Sequence, residues 1–309
     1  MAKINNFNGR VMQSFFQNRR MKAWVEVDQI VYASAYDEFG GSVLSHPMVL
    51  NAIEKIVELP IQYFAIEKNE KIQAVIPVWK KWVAGSKEGL KKMSRKGMVD
   101  FGNAELILPM SRDVTLDLPV SAGNLSSLHY ENINNLKEVN TEICLAKSHN
   151  SFSKKFRYNR KRECRLLEKR GATINAIDHL SNENIAQMYI KLFELRWGFK
   201  PTAYEYLPNL LEYLRPLLFG SVIEVDGTPI AFQLVYKVEG PSHISMEYIN
   251  GGVDLDFKTL SPGSVLTFVN TQQAWALSDD LGKPLRYSFG QADNEYKDRW
   301  CSRRAVYSV

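Results

Sequence analysis

The stretch Ser221-Val-Ile-Glu-Val-Asp-Gly-Thr-Pro-Ile-Ala-Phe-Gln-Leu-Val-Tyr-Lys237 decides how the chain is read. Asp226-Gly227 lies between two apolar runs. An Asp-Gly pair there is a strong hairpin signal, because a tight two-residue turn needs positive φ at both positions. The stretch aligns without a gap to Phe64-Ala-Ile-Glu-Lys-Asn-Glu-Lys-Ile-Gln-Ala-Val-Ile-Pro-Val-Trp-Lys80. Ile66 meets Ile223, Glu67 meets Glu224, Ala74 meets Ala231, Val78 meets Val235 and Lys80 meets Lys237, while Trp79 meets Tyr236. Asn69-Glu70 takes the place of the turn. Two hairpins can look alike by chance, so these identities are suggestive only. The surroundings add weight, since two helical stretches precede each copy. They lie near Asp28–Phe39 and Pro47–Leu59 in the first half, and near Asn182–Trp197 and Tyr204–Leu217 in the second.

The second half continues clearly. Ala172–Ile177 opens it as a strand, and Ser242–Ile249 reads as another. Ser261-Pro262-Gly263 starts a helix to about Ser278, with Pro well placed in a first turn. Leu285–Phe289 is a strand, Asp293–Trp300 a short helix with Asp293 as its N-cap, and Arg304–Val309 a final strand. The order β-α-α-β-β-β-α-β-α-β resembles that of the acetyltransferase-like (GNAT) fold. In the first half the pattern is lost near 83–100, where Gly85, Lys87, Lys91, Lys92, Arg95 and Lys96 suggest a long exposed loop. The reading is an α/β (α+β) chain of two tandem GNAT-like domains. Residues 1–150 form a degenerate N-terminal copy, and residues 151–309 a basic helix followed by a complete C-terminal copy.

Composition sets wide bounds. With 309 residues, 45% apolar and 24% charged, the chain is a folded protein of one or two domains rather than a disordered one. Lys plus Arg number 39 against 34 Asp plus Glu, a net charge of +5. That excess suits a nucleic acid, an anionic cofactor or a membrane surface and chooses none of them. Cys144, Cys164 and Cys301 form no CxxC pair, so a reducing, cytoplasmic compartment is expected. His46, His129, His149, His179 and His243 show no ligand spacing, and no metal site is expected. No run approaches the ~18 apolar residues of a membrane-spanning helix, and the N-terminus lacks a signal peptide's apolar core. Residues 11–24 interleave Val11, Met12, Phe15, Phe16, Met21 and Trp24 with Arg10, Arg19, Arg20 and Lys22. Such a segment could lie on an anionic lipid surface or pack on the domain as a helix.

Lys154–Arg170 carries nine basic residues and two acidic ones, with Ser153 as a possible cap and Gly171 as a stop. Three roles compete: a solvated linker helix, a site for an anionic partner in which Arg157, Arg160 and Arg165 fork onto phosphates, and a DNA-reading helix. DNA is the least favoured, as there is no second helix at helix-turn-helix distance and no aromatic RNA-binding motif.

Ser153–Gly171 resembles the basic, Asn-Arg-rich helix ending in Gly of FemAB-like GNAT proteins. Val225-Asp-Gly-Thr-Pro-Ile-Ala231, Ser261-Pro-Gly263, and Phe289-Gly290 followed by Tyr296-Lys297 are similar to the same branch. More narrowly, Tyr36-Asp-Glu-Phe-Gly-Gly-Ser-Val-Leu-Ser-His-Pro47 and Tyr287-Ser-Phe-Gly-Gln-Ala-Asp-Asn-Glu-Tyr-Lys-Asp-Arg-Trp300 resemble the bacterial Mig-fourteen family. That resemblance implies resistance to cationic antimicrobial peptides and a place at the inner membrane of Gram-negative bacteria.

A GNAT site requires a splayed strand pair, a helix N-terminus for an anion, and an acid or base at the scissile centre. The GNAT resemblance puts the donor loop at Lys258, Ser261, Gly263 and Ser264. There the usual middle glycine is missing and Pro262 removes a donor. Acetyl-coenzyme A is therefore a weaker expectation than in typical members, and FemAB-like proteins take aminoacyl-tRNA instead. The resemblance makes Tyr296 the acid that protonates the leaving group. A core aromatic beside Trp300, four residues on, is the alternative. Glu247 falls where a base acting through water often sits, if strand alternation turns it to the cleft. Lys297 could meet an anionic substrate group, as could Arg157 and Arg160; Asp293 is a further substrate-binding candidate, though a helix cap is its more ordinary role. The expected function is N-acyl or aminoacyl transfer at the cytoplasmic face of the envelope, onto a lipid or lipopolysaccharide precursor or a peptide, with acyl-coenzyme A or aminoacyl-tRNA as donor. The alternatives are a GNAT-shaped binding or regulatory protein without catalysis and, behind it, a DNA-binding regulator.

Overall fold

The computed structural model describes residue 21 and residues 23–309. The expectation of a membrane-contacting segment at 11–24 therefore falls almost wholly outside the described residues. Met21 and Trp24, which lie inside them, are buried in the core of the first half.

The first unit begins with β1 (Val25–Val27), α1 (Gln29–Phe39) and α2 (Pro47–Val57). Asp28 Oδ1 accepts the Val31 N–H at 2.9 Å and so starts α1. Pro47 opens α2, whose apolar stripe of Val49, Leu50, Ile53, Ile56 and Val57 is buried. The strands β2 (Gln62–Lys68), β3 (Lys71–Trp79) and β4 (Trp82–Val83) complete a four-stranded sheet in the order β1-β2-β3-β4.

The segment expected as an exposed loop at 83–100 instead contains α3 (Lys87–Lys92). Ser86 Oγ accepts the Gly89 N–H at 3.1 Å, and Leu90 and Val99 are buried. Of the basic residues that suggested a loop, Lys87, Lys91 and Lys92 are exposed on this short capped helix, while Arg95, just past it, is half-buried and its Nε donates to the Val57 carbonyl at 2.8 Å. Residues 101–135 are mostly irregular yet deeply packed, with Leu106, Leu108, Leu116 and Leu118 all buried.

The remaining elements are β5 (Leu125–Ser126), β6 (Lys137–Ala146), α4 (Lys154–Glu168), β7 (Ala172–Ala176), α5 (Asn182–Trp197), α6 (Leu207–Leu214), β8 (Ser221–Val225), β9 (Thr228–Glu239), β10 (Ile244–Val253), α7 (Pro262–Leu281), β11 (Leu285–Gln291) and β12 (Cys301–Ser308). They build an eight-stranded sheet ordered β5-β12-β6-β11-β10-β9-β8-β7. The element order expected of the second unit is present. Strand β6 comes from the N-terminal side of the expected boundary at 150, yet it is hydrogen-bonded between β11 and β12. The two units therefore share one sheet.

The repeat read from sequence extends to fine geometry. Asn69 and Glu70 have φ of 53° and 60°, and Asp226 and Gly227 have 50° and 73°, so both hairpins close through the same positive-φ turn. Both ladders also shift register at aligned positions, Ile66/Glu67 in one and Ile223/Glu224 in the other. A bulge is a specific local feature. Its recurrence at the same place supports the repeat more strongly than the residue identities do. The fold is thus α/β with two tandem GNAT-like units, the first of them reduced.

Candidate functional site

The site arises where two strands part. β10 and β11 run parallel and pair from Ile244–Leu285 to Glu247–Ser288. Beyond that point β10 bulges between Tyr248 and Asn250, and β11 turns its bonding to β6. Backbone groups facing the gap are left for something other than sheet. Along the released part of β10 lies a cleft of about 270 Å³ whose lining includes Tyr248, Gly251, Gly263, Ser264, Tyr296 and Trp300. The sequence-predicted Gly263, Ser264 and Tyr296 thus meet in one cleft, at the start of α7 and in the short turn of helix after β11.

Glycine is required at the cleft wall. A Cβ on Gly252 would lie 2.6 Å from Leu192 Cβ, and one on Gly251 would lie 2.9 Å from the Phe232 carbonyl oxygen. The second part of β10 can run against α5 only without a side chain at Gly252, and past Tyr248 and β9 only without one at Gly251. Beneath the cleft a buried polar chain fixes α7 to the sheet. Gln233 Nε2 donates to Thr267 Oγ1 at 2.8 Å, Asn270 Nδ2 donates to Gln233 Oε1 at 2.7 Å, and Ser221 Oγ donates to Asn270 Oδ1 at 2.6 Å. Thr267 Oγ1 in turn donates to the Gly263 carbonyl at 2.9 Å, tying down the first turn of the helix.

That first turn offers an anion little. Ser261 sits at φ 54°, and its carbonyl takes the N–H groups of Ser264 and Val265 at 3.0 and 3.1 Å. Pro262 has no N–H. The Gly263 N–H is what remains for a ligand. Ser261 shapes the turn without lining the cleft, and Lys258 is exposed on the 3₁₀ turn Leu255–Leu260 that leads into it.

Tyr296 is 46% exposed, and burial raises its pKa above the ordinary value of 10.0, with Arg196 opposing. Its hydroxyl therefore stays protonated at neutral pH, as a proton donor must. The core aromatic at this place is Trp300, whose ring stands edge-on to Phe156 at 5.1 Å. Glu247 is 2% exposed and is not part of the cleft lining. Its carboxyl accepts from Ser288 Oγ at 2.8 Å and from the Glu105 N–H at 3.3 Å. Burial drives its pKa well above 4.5, despite the Ser288 hydrogen bond. Alternation along β10 turns Tyr248 to the cleft and Glu247 into the sheet's other side.

Other candidates are tied up locally. Lys297 is buried, and its Nζ donates to the Gln291 carbonyl at 2.7 Å and to Asp293 Oδ1 at 2.8 Å. Asp293 is not the helix cap expected: the capping position is Asn294, which makes no side-chain cap bond. Burial would raise the Asp293 pKa, but hydrogen bonds from Lys297 and Asn294 hold it below 3.8. Together Asp293 and Lys297 clamp the turn that presents Tyr296. Arg157 donates to the Phe152 carbonyl at 2.7 Å, and Arg160 pairs with Glu163 at 2.7 Å. The exposed cations of α4 outside the described ion pairs are Lys154, Lys155, Lys161, Arg162 and Arg165, with Lys169 and Arg170 just past its end. Leu167 of α4 clusters with Val265 and Leu266 of α7, so this basic face flanks the helix whose start borders the cleft.

Sequence reasoning missed Arg196, Tyr248 and Thr267, which also line the cleft. Arg196 Nη1 reaches the Gly251 carbonyl at 3.4 Å. Gly251-Gly252 in a strand was the available signal, since paired glycines mark a bulge or a close approach. Among the described residues no group of His, Cys, Asp or Glu could hold a metal ion, and no helix is long and apolar enough to cross a membrane.

Among solved structures, FemX matches with a TM-score of 0.54 at 11% identity, covering 92% of this chain and 96% of that one. L-PGS from Bacillus licheniformis matches at 0.49 and 12% identity, covering 91% and 90%. A tandem GNAT protein from the clavulanic acid biosynthesis pathway matches at 0.44 and 8%, covering 92% and 97%. The FemX likeness spans both units and shows a shared fold. No curated protein matches the sequence. The model of the Mig-14 family matches residues 46–309, and the chain belongs to that family.

Proposed function

We propose that this member of the Mig-14 family transfers an acyl or aminoacyl group to an amine or hydroxyl acceptor in the cleft between β10 and β11. The observation that carries this reading is the parallel pair that stops bonding at Glu247–Ser288, beside a cleft in which the released part of β10 meets Gly263, Ser264 and Tyr296. In such a gap a donor can complete the strand hydrogen bonds with its own amides. Tyr296 would give its proton to the departing group, a contribution of about 100-fold or more to the rate. The donor would be acyl-coenzyme A or aminoacyl-tRNA. The single free N–H at the start of α7 holds a pyrophosphate poorly, whereas the exposed cations of α4 suit a long polyanion.

The same reading puts the acceptor at the cytoplasmic side of the bacterial envelope, as a lipid or lipopolysaccharide precursor or a peptide. An aminoacyl group added there would bring a free amine that offsets an anionic charge, which would reduce attraction of cationic peptides and with it the cell's sensitivity to them. A second reading, a binding or regulatory protein without catalysis, is favoured by one observation: Glu247 is turned away from the cleft, which leaves it without a carboxylate base.

One pair of experiments separates the two. Transfer from labelled acetyl-coenzyme A, longer acyl-coenzyme A and aminoacyl-tRNA is measured with the wild type and with Tyr296→Phe. Mass spectrometry of lipid A and core sugar is compared in cells with and without the protein. Catalysis requires a donor-dependent product that falls about 100-fold in Tyr296→Phe, and a matching mass difference in the lipid. Absence of transfer from every donor would leave the binding reading.

A further inference from the structure

Two neighbours on β9 fix how the cleft is walled. Gln233 bonds to Thr267 of α7, and the Phe232 ring meets the Tyr189 ring of α5 at 5.0 Å. Adjacent strand residues face opposite sides, so α7 and α5 pack on opposite faces of the sheet and reach the cleft from either side. The α7 side brings Gly263 and the basic flank of α4, which suit the donor. The α5 side brings Arg196.

Among the described residues that line the cleft, Arg196 is the one charged group, and it takes part in none of the described ion pairs. Its Nη1 donates to the Gly251 carbonyl at 3.4 Å, and its guanidinium stands over the Trp197 ring, 4.7 Å from the centroid. These two contacts set the plane of the guanidinium and leave most of its N–H donors for a ligand. Such a fork matches the oxygens of a phosphate or carboxylate. The positive charge reaches the hydroxyls of both Tyr296 and Tyr248, where it opposes the upward push that burial gives their pKa. The acids on the turn that presents Tyr296 do not compete for it. Asp293 is paired with Lys297, and neither Asp293 nor Glu295 lines the cleft.

We propose that Arg196 anchors the acceptor, through a phosphate or carboxylate that the acceptor carries a few bonds from its amine or hydroxyl. This rests on the transfer reading given above. With the donor in the gap between β10 and β11, an acceptor held by Arg196 enters from the α5 side and brings its nucleophile to the acyl carbon beside Tyr296. The bond from the acceptor nitrogen or oxygen to that carbon forms, and the bond from the carbon to the donor breaks. The Tyr296 proton goes to the departing sulfur or oxygen, and the proton released by the nucleophile restores Tyr296. An acceptor without an anion finds no charged partner in this lining, so Arg196 sets the choice of acceptor as well as its position.

Calorimetric titration of the full chain with O-phosphoethanolamine and with 3-aminopropanoate tests this, with ethanolamine as a short amine that lacks the anion. Saturable binding of at least one anionic amine is expected, and the tighter of the two names the anion. Arg196→Gln should weaken it about tenfold, the equivalent of ~1.4 kcal/mol. Arg196→Lys should weaken it less, because the charge stays and only the fork is lost. Lys200→Gln removes an exposed cation outside the lining and should leave binding unchanged. Arg196 is itself exposed, so its variants should fold. No saturable binding of either anionic amine, equal affinity in Arg196→Gln and wild type, an equal loss in Lys200→Gln, or ethanolamine binding as tightly would each overturn the proposal. The readout is binding and needs no turnover. Arg196-dependent binding with no transfer from any donor would overturn the catalytic reading and leave Arg196 as an anion site, whereas transfer without such binding would overturn the anchor and leave catalysis.

Discussion

Removing the Arg286 guanidinium should destabilise the protein severely. Arg286 lies on β11, and Glu105 lies in the irregular segment of the first unit, 181 residues away in sequence. The pair is bidentate: Arg286 Nε donates to Glu105 Oε2 at 2.9 Å, and Nη2 donates to Glu105 Oε1. Glu105 is 2% exposed, so Arg286→Met leaves its carboxylate in the interior without a cation. Stranding one partner of a buried pair costs about 3–5 kcal/mol. That is a large share of the roughly 5–15 kcal/mol that holds a typical protein together. Glu105→Gln should cost less, about 1–3 kcal/mol, because an amide oxygen still accepts from the guanidinium. Combining Arg286→Met with Glu105→Gln should cost less than the two single losses together, since no charge is then stranded. Urea unfolding of the wild type, the two single variants and the double variant at pH 7 measures the coupling directly. The reasoning fails if Arg286→Met lies within about 1 kcal/mol of the wild type, or if the two single losses simply add.

Three further outcomes follow from the buried groups. Glu247 has its folded pKa raised above 4.5, so the native state holds a proton that the unfolded chain gives up. Stability from this group is therefore present at low pH and lost as pH rises above 4.5. Glu247→Gln should gain on the wild type steadily between pH 5 and 8 in urea midpoints, and a constant difference would contradict this. His129 is lowered from 6.5 to about 4, so its contribution is present above pH 6.5 and lost as pH falls toward 4. His129→Asn should flatten that acid loss by about 3 kcal/mol at the usual 1.4 kcal/mol per pH unit; an unchanged slope would count against it. Gly252→Ala would put a methyl 2.6 Å from Leu192 Cβ and from Phe232 Cε1. It should cost about 1–3 kcal/mol by thermal unfolding and weaken any donor bound in the cleft, whereas wild-type stability would show that β10 shifts freely.

Much of the fold was legible because its signals are local. Asp226-Gly227 demands a hairpin, Ser153 and Gly171 bracket α4, and Asn182–Trp197 carries its cap and its stop within its own flanks. Strand β6 gave no such signal. Its burial pattern is mostly exposed or half-buried, with Lys137, Glu138 and Glu142 among its residues, and its place in the sheet comes from partners about 150 residues away. Residues 101–135 were illegible for a related reason. Their apolar residues follow neither a period of 2 nor one of 3.6, because they pack as an irregular chain held by isolated bridges and by bonds such as the His129 Nε2 acceptance of the Leu108 N–H at 2.9 Å.

The cleft shows the same limit more sharply. The resemblance singled out Tyr296, Gly263 and Ser264, which line one cleft, whereas on β10 it is Tyr248 that lines the cleft and its neighbour Glu247 that does not. Adjacent strand residues face opposite sides, so an error of one position exchanges the cleft for the interior. Nothing in a strand's composition says where it releases its neighbour. Here the release is marked by the bulge at Tyr248/Asn250 and by Gly252, which lets α5 approach. The first unit shows what happens when that machinery is absent. Its hairpin keeps the turn and the bulge, but the helix that follows is the six-residue α3 in place of the 20-residue α7. What it supplies is support: β6 to the shared sheet, Glu105 to Arg286, and the Glu105 N–H that holds Glu247 at the point of splay. The reduced copy has thus become part of the scaffold on which the complete copy's cleft is held open.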